Sequence, residues 1–200
     1  QHGMKWIPLD TYGRGVYAFE QLQELALQYN DKGLDAVLFA GDLVNDSRVA
    51  QVQEFGQIYE KVFDPAEVPL IFCQGNHDVK HNPNSNREEL HLEDYYIIFG
   101  QKFRSYDKET SRIDLGCVHQ IVGDYHFLSI VPMDSGWEHN EDGSANYDPA
   151  AVAWLDETLA AVTKENPDQY VFLTTHPLIY DTAYGSDVIY GTMSWFTKEL

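Results

Sequence analysis

Ala36-Val37-Leu38-Phe39-Ala40-Gly41-Asp42 and, one helix later, Leu70-Ile71-Phe72-Cys73-Gln74-Gly75-Asn76-His77-Asp78 share a form: a short continuous apolar run that ends in small and polar residues. Runs of this length without alternation predict strands buried on both faces. Between them, residues 49–62 place Val52, Phe55, Tyr59 and Val62 at helical spacing, with Pro65 beyond the end. Strand, helix, strand in that order makes a parallel crossover unit, right-handed by the general rule for such connections. The fold class that follows is α/β.

Outward from this unit, the apolar runs 127–131 and 170–174 predict two more strands. Residues 16–29 carry Val16, Phe19, Leu22, Leu25, Ala26 and Tyr29 on one helical face. A third helix has both ends marked: Asp148 as N-cap, Pro149 at the first position, Val152, Leu155, Leu159 and Val162 in a stripe, and Pro167 after the close. A short helix is expected near 87–96 and another before Leu200. Loops rich in Asn, Asp, Gly and Ser at 80–86 and 134–147 read as solvent-facing, and no linker divides residues 1–200.

Composition bounds the function classes. Thirteen basic against 32 acidic residues give a net charge of -19, a surface that repels nucleic-acid backbones and anionic lipid. Four Trp, thirteen Tyr and ten Phe require a packed interior and exclude a disordered acidic tail. No apolar run approaches the roughly 20 residues of a membrane-spanning helix. Cys73 and Cys117 sit among apolar residues and read as buried small hydrophobes. The acidic, Lys-poor composition suits a secreted or cell-surface bacterial protein slightly better than a cytoplasmic one.

Each buried strand hands over to polar residues at its carboxyl end: Gly41-Asp42, Gly75-Asn76-His77-Asp78 and His176-Pro177. Ligands of open α/β sheets bind outside those strand ends, so the three clusters are expected to converge. Carboxylate, amide and imidazole donors together suit Mn, Fe or Zn, which makes a metal centre the reading. Taken singly, each residue has a plainer role: Asp42 in a turn, Asn76 in a left-handed bend, His176 as a satisfied core histidine, His77 and Asp78 as a structural hydrogen bond.

Gly41-Asp42-Leu43-Val44-Asn45, Gly75-Asn76-His77-Asp78 and Thr175-His176-Pro177 resemble successive blocks of the calcineurin-like metallophosphoesterases, and Ala153-Trp154-Leu155-Asp156 resembles the helix before the last of these. Gln1-His2-Gly3 fits the family's first block, D-x-H, if an Asp precedes Gln1. Asp10-Thr11-Tyr12 is the competing position. With that Asp and the closing G-H-x-H block outside the 200 residues, the resemblance implies a partial domain cut at both ends that binds metal weakly.

The implied fold is a four-layer α-β-β-α sandwich of two mixed sheets. The implied activity is hydrolysis of a phosphomonoester or phosphodiester, a small-molecule substrate, by in-line attack of a hydroxide bridging two metal ions. In that scheme Asp42 bridges the ions, Asn76 and His176 serve one of them and His2 the other. His77, a non-ligand, donates a proton near the phosphate, and Asp78 holds the His77 ring. A catalytically silent binding module on the same scaffold, and a dinuclear hydrolase of a non-phosphate bond, are the alternative readings.

Overall fold

A computed structural model describes residues 11–45, 47–75, 77–78, 92–132, 146–179 and 196–197. Its first unit runs α1 (Thr11–Leu27), β1 (Val37–Ala40), α2 (Val49–Val62) and β2 (Leu70–Cys73), with β1 and β2 parallel and Val37 opposite Leu70. Both strands and α2 fall where the hydrophobic pattern puts them. Helix α1 starts five residues earlier than its apolar stripe, through Gly13 and Gly15, residues that helices disfavour. Tertiary packing overrides propensity here: a Cβ on Gly15 would stand 2.8 Å from Cγ2 of Ile58, so glycine lets α1 lie close on α2.

Phe19 of α1 is the hub of this unit, meeting Phe39, Phe55, Tyr59 and Phe63 edge-on at centroid distances of 6.4, 6.1, 5.4 and 5.7 Å. Such pairs add about 0.5–1.5 kcal/mol each beyond the area they bury. On the same sheet face, Phe72 of β2 packs on Tyr95 and Tyr96. These belong to α3 (Leu92–Tyr95) and to the π-helical turn Tyr96–Gly100 that continues it.

After a short 3₁₀ turn at Ile113–Leu115 come β3 (Val118–Val122), β4 (Tyr125–Ser129), α4 (Pro149–Glu165) and β5 (Val171–Thr174). They form a mixed sheet in which β4 is antiparallel to β3 and parallel to β5. Strand β3 has no continuous apolar run, because Val118-His119-Gln120-Ile121-Val122 mixes classes, and it is absent from the sequence reading. Its sign is the turn: Gly123, at φ +57, and Asp124 form the two-residue connection of a hairpin whose Val122 faces Tyr125. That turn also starts β4 two residues before the apolar run does.

Helix α4 begins as the sequence indicates. The Asp148 side chain accepts a hydrogen bond from the Ala150 N–H at 2.8 Å, and Pro149 occupies the first turn. Ala151, Trp154 and Leu155 pack on Leu128 of the second sheet and on Cys117 and Ile130, which flank its strands β3 and β4. The two sheets approach each other through β2 and β4.

Two expectations are corrected. Burial on both faces holds for β2, whose four residues are at most 2% exposed, but Leu38 of β1 is 44% exposed and Phe172 of β5 is 45% exposed. Both strands are covered on one face only among the described residues. Near the C-terminus, Phe196–Thr197 is not helical: it forms β7, parallel to β6 (Leu178–Ile179), as an aromatic and β-branched pair favours. Cys73 and Cys117 are both buried free thiols, and burial pushes the Cys117 thiol up to about 12.

Candidate metal centre

The turns after β1, β2 and β5 meet. Asp42 follows β1 in left-handed conformation, φ +55, a region that Asp tolerates better than most residues. Its Oδ1 accepts the His77 backbone N–H at 3.1 Å, and its Oδ2 lies 3.4 Å from Nε2 of His176. The His176 ring is fixed from behind, because Nδ1 donates to the Ala40 carbonyl at 2.7 Å and Nε2 is left facing the carboxylate. Ala40 and His176 are 136 positions apart, so this juxtaposition belongs to the tertiary fold.

Glycines make the approach possible. Gly41, at φ +88, would with a Cβ come within 2.5 Å of His176 Nδ1, and a Cβ on Gly75 would run into the carboxyl group and amide of Asp42. A further hydrogen bond, between the Tyr147 and Thr175 hydroxyls at 2.6 Å, ties the residue before His176 to the entry of α4.

Asp78 is wholly buried, and both its oxygens are used by backbone. Oδ2 accepts N–H bonds from Asp42 and Gly75, each at 2.8 Å, and Oδ1 accepts from Val44 at 3.1 Å. Burial pushes its pKa up to about 6 against these three bonds, with the nearby Asp42 charge adding to the rise. This corrects the expected Asp78–His77 hydrogen bond. The His77 ring is held instead by the Asn45 carbonyl, which accepts from Nδ1 at 2.7 Å. The physical reason is demand: three converging backbone donors in a buried turn require a charged acceptor more than one half-exposed imidazole does.

The same turn engages residues that the sequence reading left without a role or passed over. Asn45, the last residue of the Gly41–Asn45 block, holds His77 through its main-chain carbonyl. Ser47, fully buried at φ +54, donates from its backbone N–H and its hydroxyl to the His77 carbonyl, at 2.8 and 3.0 Å. No spacing rule marks either residue. Asn76 and His2, the other expected ligands, and the competing Asp10 lie outside the described residues.

Asp42 and His176 are coupled electrostatically. Burial alone would raise the Asp42 pKa, but His176 and the His77 N–H bring it below the ordinary carboxylate value. Burial likewise lowers the His176 pKa, and the Asp42 carboxylate with the Ala40 carbonyl reverses this, so the imidazole holds a proton above its ordinary value. A carboxylate oxygen and an imidazole nitrogen 3.4 Å apart also match the donor types and spacing of two ligands on one ion, given bonds of about 2 Å. Among the described residues no group of three or more His, Cys, Asp or Glu converges on such a point. Asp42 and His176 therefore fit part of a metal's ligand set.

A cavity of about 490 Å³ opens beside the pair, lined by Asp42, Asn45 and His77 from the turns and by side chains of α2. A carboxylate and an imidazole presented at the carboxyl ends of the strands of an α/β scaffold stand where proteins of this class bind their ligands. Residues 9–198, nearly the whole chain, match the family model of the calcineurin-like phosphoesterases, and the chain belongs to that family. The family is one of phosphoester hydrolases that typically use divalent metal ions. No curated protein matches the chain.

Proposed function

We propose that this chain hydrolyses a phosphomonoester or phosphodiester with two metal ions held by Asp42, Asn76, His176 and His2 on a four-layer scaffold of two mixed sheets between helices. The observation that carries the reading is the Asp42–His176 pair: Oδ2 and Nε2 face each other at 3.4 Å, with the imidazole locked by Ala40. The family match and the approach of β2 to β4 support it. When bound, the ions supply Lewis-acid activation of water and neutralise charge on the phosphoryl oxygens.

The chain's own residues do the rest. Asp42 and His176 orient the cation site, and Asp78 fixes the backbone on which Asp42 stands. His77 faces the cavity with Nδ1 engaged by Asn45, so Nε2 is the atom that exchanges a proton with the departing alcohol oxygen. The test uses the full-length protein. Asp42→Ala is expected to abolish stoichiometric metal binding. His77→Ala is expected to keep metal and lose about 10²–10⁴ in rate on a substrate with a poor leaving group. Unchanged turnover in His77→Ala removes that residue from the mechanism. Full metal occupancy with no hydrolysis of any phosphate ester by the unmodified chain favours the silent binding module.

A further inference from the structure

The cavity beside Asp42 and His77 continues onto α2, and its volume of about 490 Å³ far exceeds what a phosphoryl group occupies. Gln51, Glu54, Phe55 and Ile58 follow one another there at spacings of three, one and three, the i, i+3, i+4, i+7 pattern of a single helix face. Leu43 and Val44 add apolar wall on the side of the β1 turn. The additional space therefore suits the alcohol part of an ester whose phosphate sits at Asp42 and His77.

The charge of this wall narrows the alcohol. Away from the turns that carry Asp42 and His77, Glu54 is the charged side chain that lines the cavity, and no Lys or Arg lines it among the described residues. Glu54 has no hydrogen-bond or ion-pair partner among them either. An anionic leaving group, such as a nucleotide or a sugar phosphate, would meet a bare carboxylate inside the field of a chain carrying -19. A cation would find there a counter-charge flanked by apolar surface.

We propose that the cavity along α2 binds the alcohol portion of the substrate and selects a short apolar chain ending in an ammonium group, with Glu54 as the specificity-determining residue. The proposal rests on the phosphoester-hydrolase reading. In the reaction the P–O bond to the alcohol breaks; water supplies the hydroxyl that phosphorus keeps and the proton that the alcohol oxygen takes. The ammonium keeps its charge throughout, so the Glu54 contact is present in ground and transition states alike and is read mainly in KM.

The experiment compares aminobutyl phosphate with pentyl phosphate, equal in length and differing in a terminal ammonium for a methyl, on the whole chain loaded with metal. Nitrophenyl phosphate reports turnover with a leaving group that carries no ammonium. The unmodified chain is expected to favour the amino ester by about fivefold in kcat/KM at low salt, the upper range for an exposed ammonium–carboxylate pair, and less as salt rises. Glu54→Gln is expected to bring the ratio to about one and Glu54→Lys to invert it. A ratio unchanged in both variants overturns the proposal. If none of the three esters is hydrolysed, the monoesterase form of the hydrolase reading fails, and the pocket is judged by calorimetric binding of aminopentylphosphonate against hexylphosphonate. The same preference, lost in Glu54→Gln, sustains it, and equal binding overturns it.

Discussion

At the scale of single residues, the site depends on atoms that touch rather than on the ligands alone. Gly75→Ala would push a methyl group into the Asp42 carboxyl, and metal affinity is expected to fall about 10–100-fold, as when a ligand's support is disturbed, with the far-UV circular dichroism spectrum retained. Isothermal titration with Mn or Zn checks this. Asp78→Asn would replace one accepting oxygen by an amide that donates toward backbone N–H groups which also donate. A loss of about 3 kcal/mol in urea unfolding is expected, within the range for hydrogen bonds to a buried charge. The block Gly75-Asn76-His77-Asp78 is legible in the sequence as a candidate site, but the partners of His77 and Asp78 within it are not. A carboxylate beside a histidine suggests a pair, and only the fold shows that three main-chain donors claim that carboxylate first.

Among the elements, the β3–β4 hairpin carries a polar pair that the periodicity of neither strand reveals. His119 Nε2 and His126 Nδ1 are 2.9 Å apart with their rings stacked, and His119 is only 4% exposed. Burial, and secondarily the neighbouring His126, lowers the His119 pKa, although Asp107 acts in the opposite sense. Because the folded value lies below the unfolded one, the unfolded chain binds the proton more tightly. The stability from neutral His119 is complete above the unfolded value, about 6.5, and is lost as pH falls from there through the folded value. The metal-free chain is expected to lose at most about 1.4 kcal/mol per pH unit from this group, and His119→Phe to flatten that slope in urea midpoints taken across the range. Asp148→Ala is expected to cost about 1 kcal/mol by removing the acceptor of the Ala150 N–H at the start of α4, measured the same way.

Over the whole molecule, a net charge of -19 opposes compaction while the aromatic core favours it. Raising monovalent salt is expected to increase the melting temperature of the metal-free chain by a few degrees, by screening repulsion among surface carboxylates. A melting temperature that falls steadily with salt would mean that local ion pairs, such as Lys102–Glu60 and Arg112–Asp114, outweigh the repulsion. The whole-molecule arrangement that matters for chemistry is the meeting of two crossover units. One presents Asp42 and His77 after β1 and β2, and the other brings His176 after β5, anchored through Thr175 and Tyr147. No helix among the described residues is long and apolar enough to cross a membrane.

Continuous apolar runs and capped amphipathic stripes are local properties, and they set β1, α2, β2 and α4 and the α/β class from the sequence by itself. Asp42, His77, Asp78 and His176 stand out as candidate site residues for a related reason: polar residues that directly follow buried strands contrast with the apolar background. Contacts between distant segments were not legible, because nothing in the local pattern encodes them. The closeness of Gly15 to Ile58, the pairing of β3 through the Gly123 turn, the capture of Asp78 by three N–H groups and the lock of His176 on Ala40 each join positions set side by side only when the chain is packed. Which donor reaches which acceptor depends on differences of an ångström. Those are decided by the packing of whole elements against each other, since a close-packed interior allows few alternative positions.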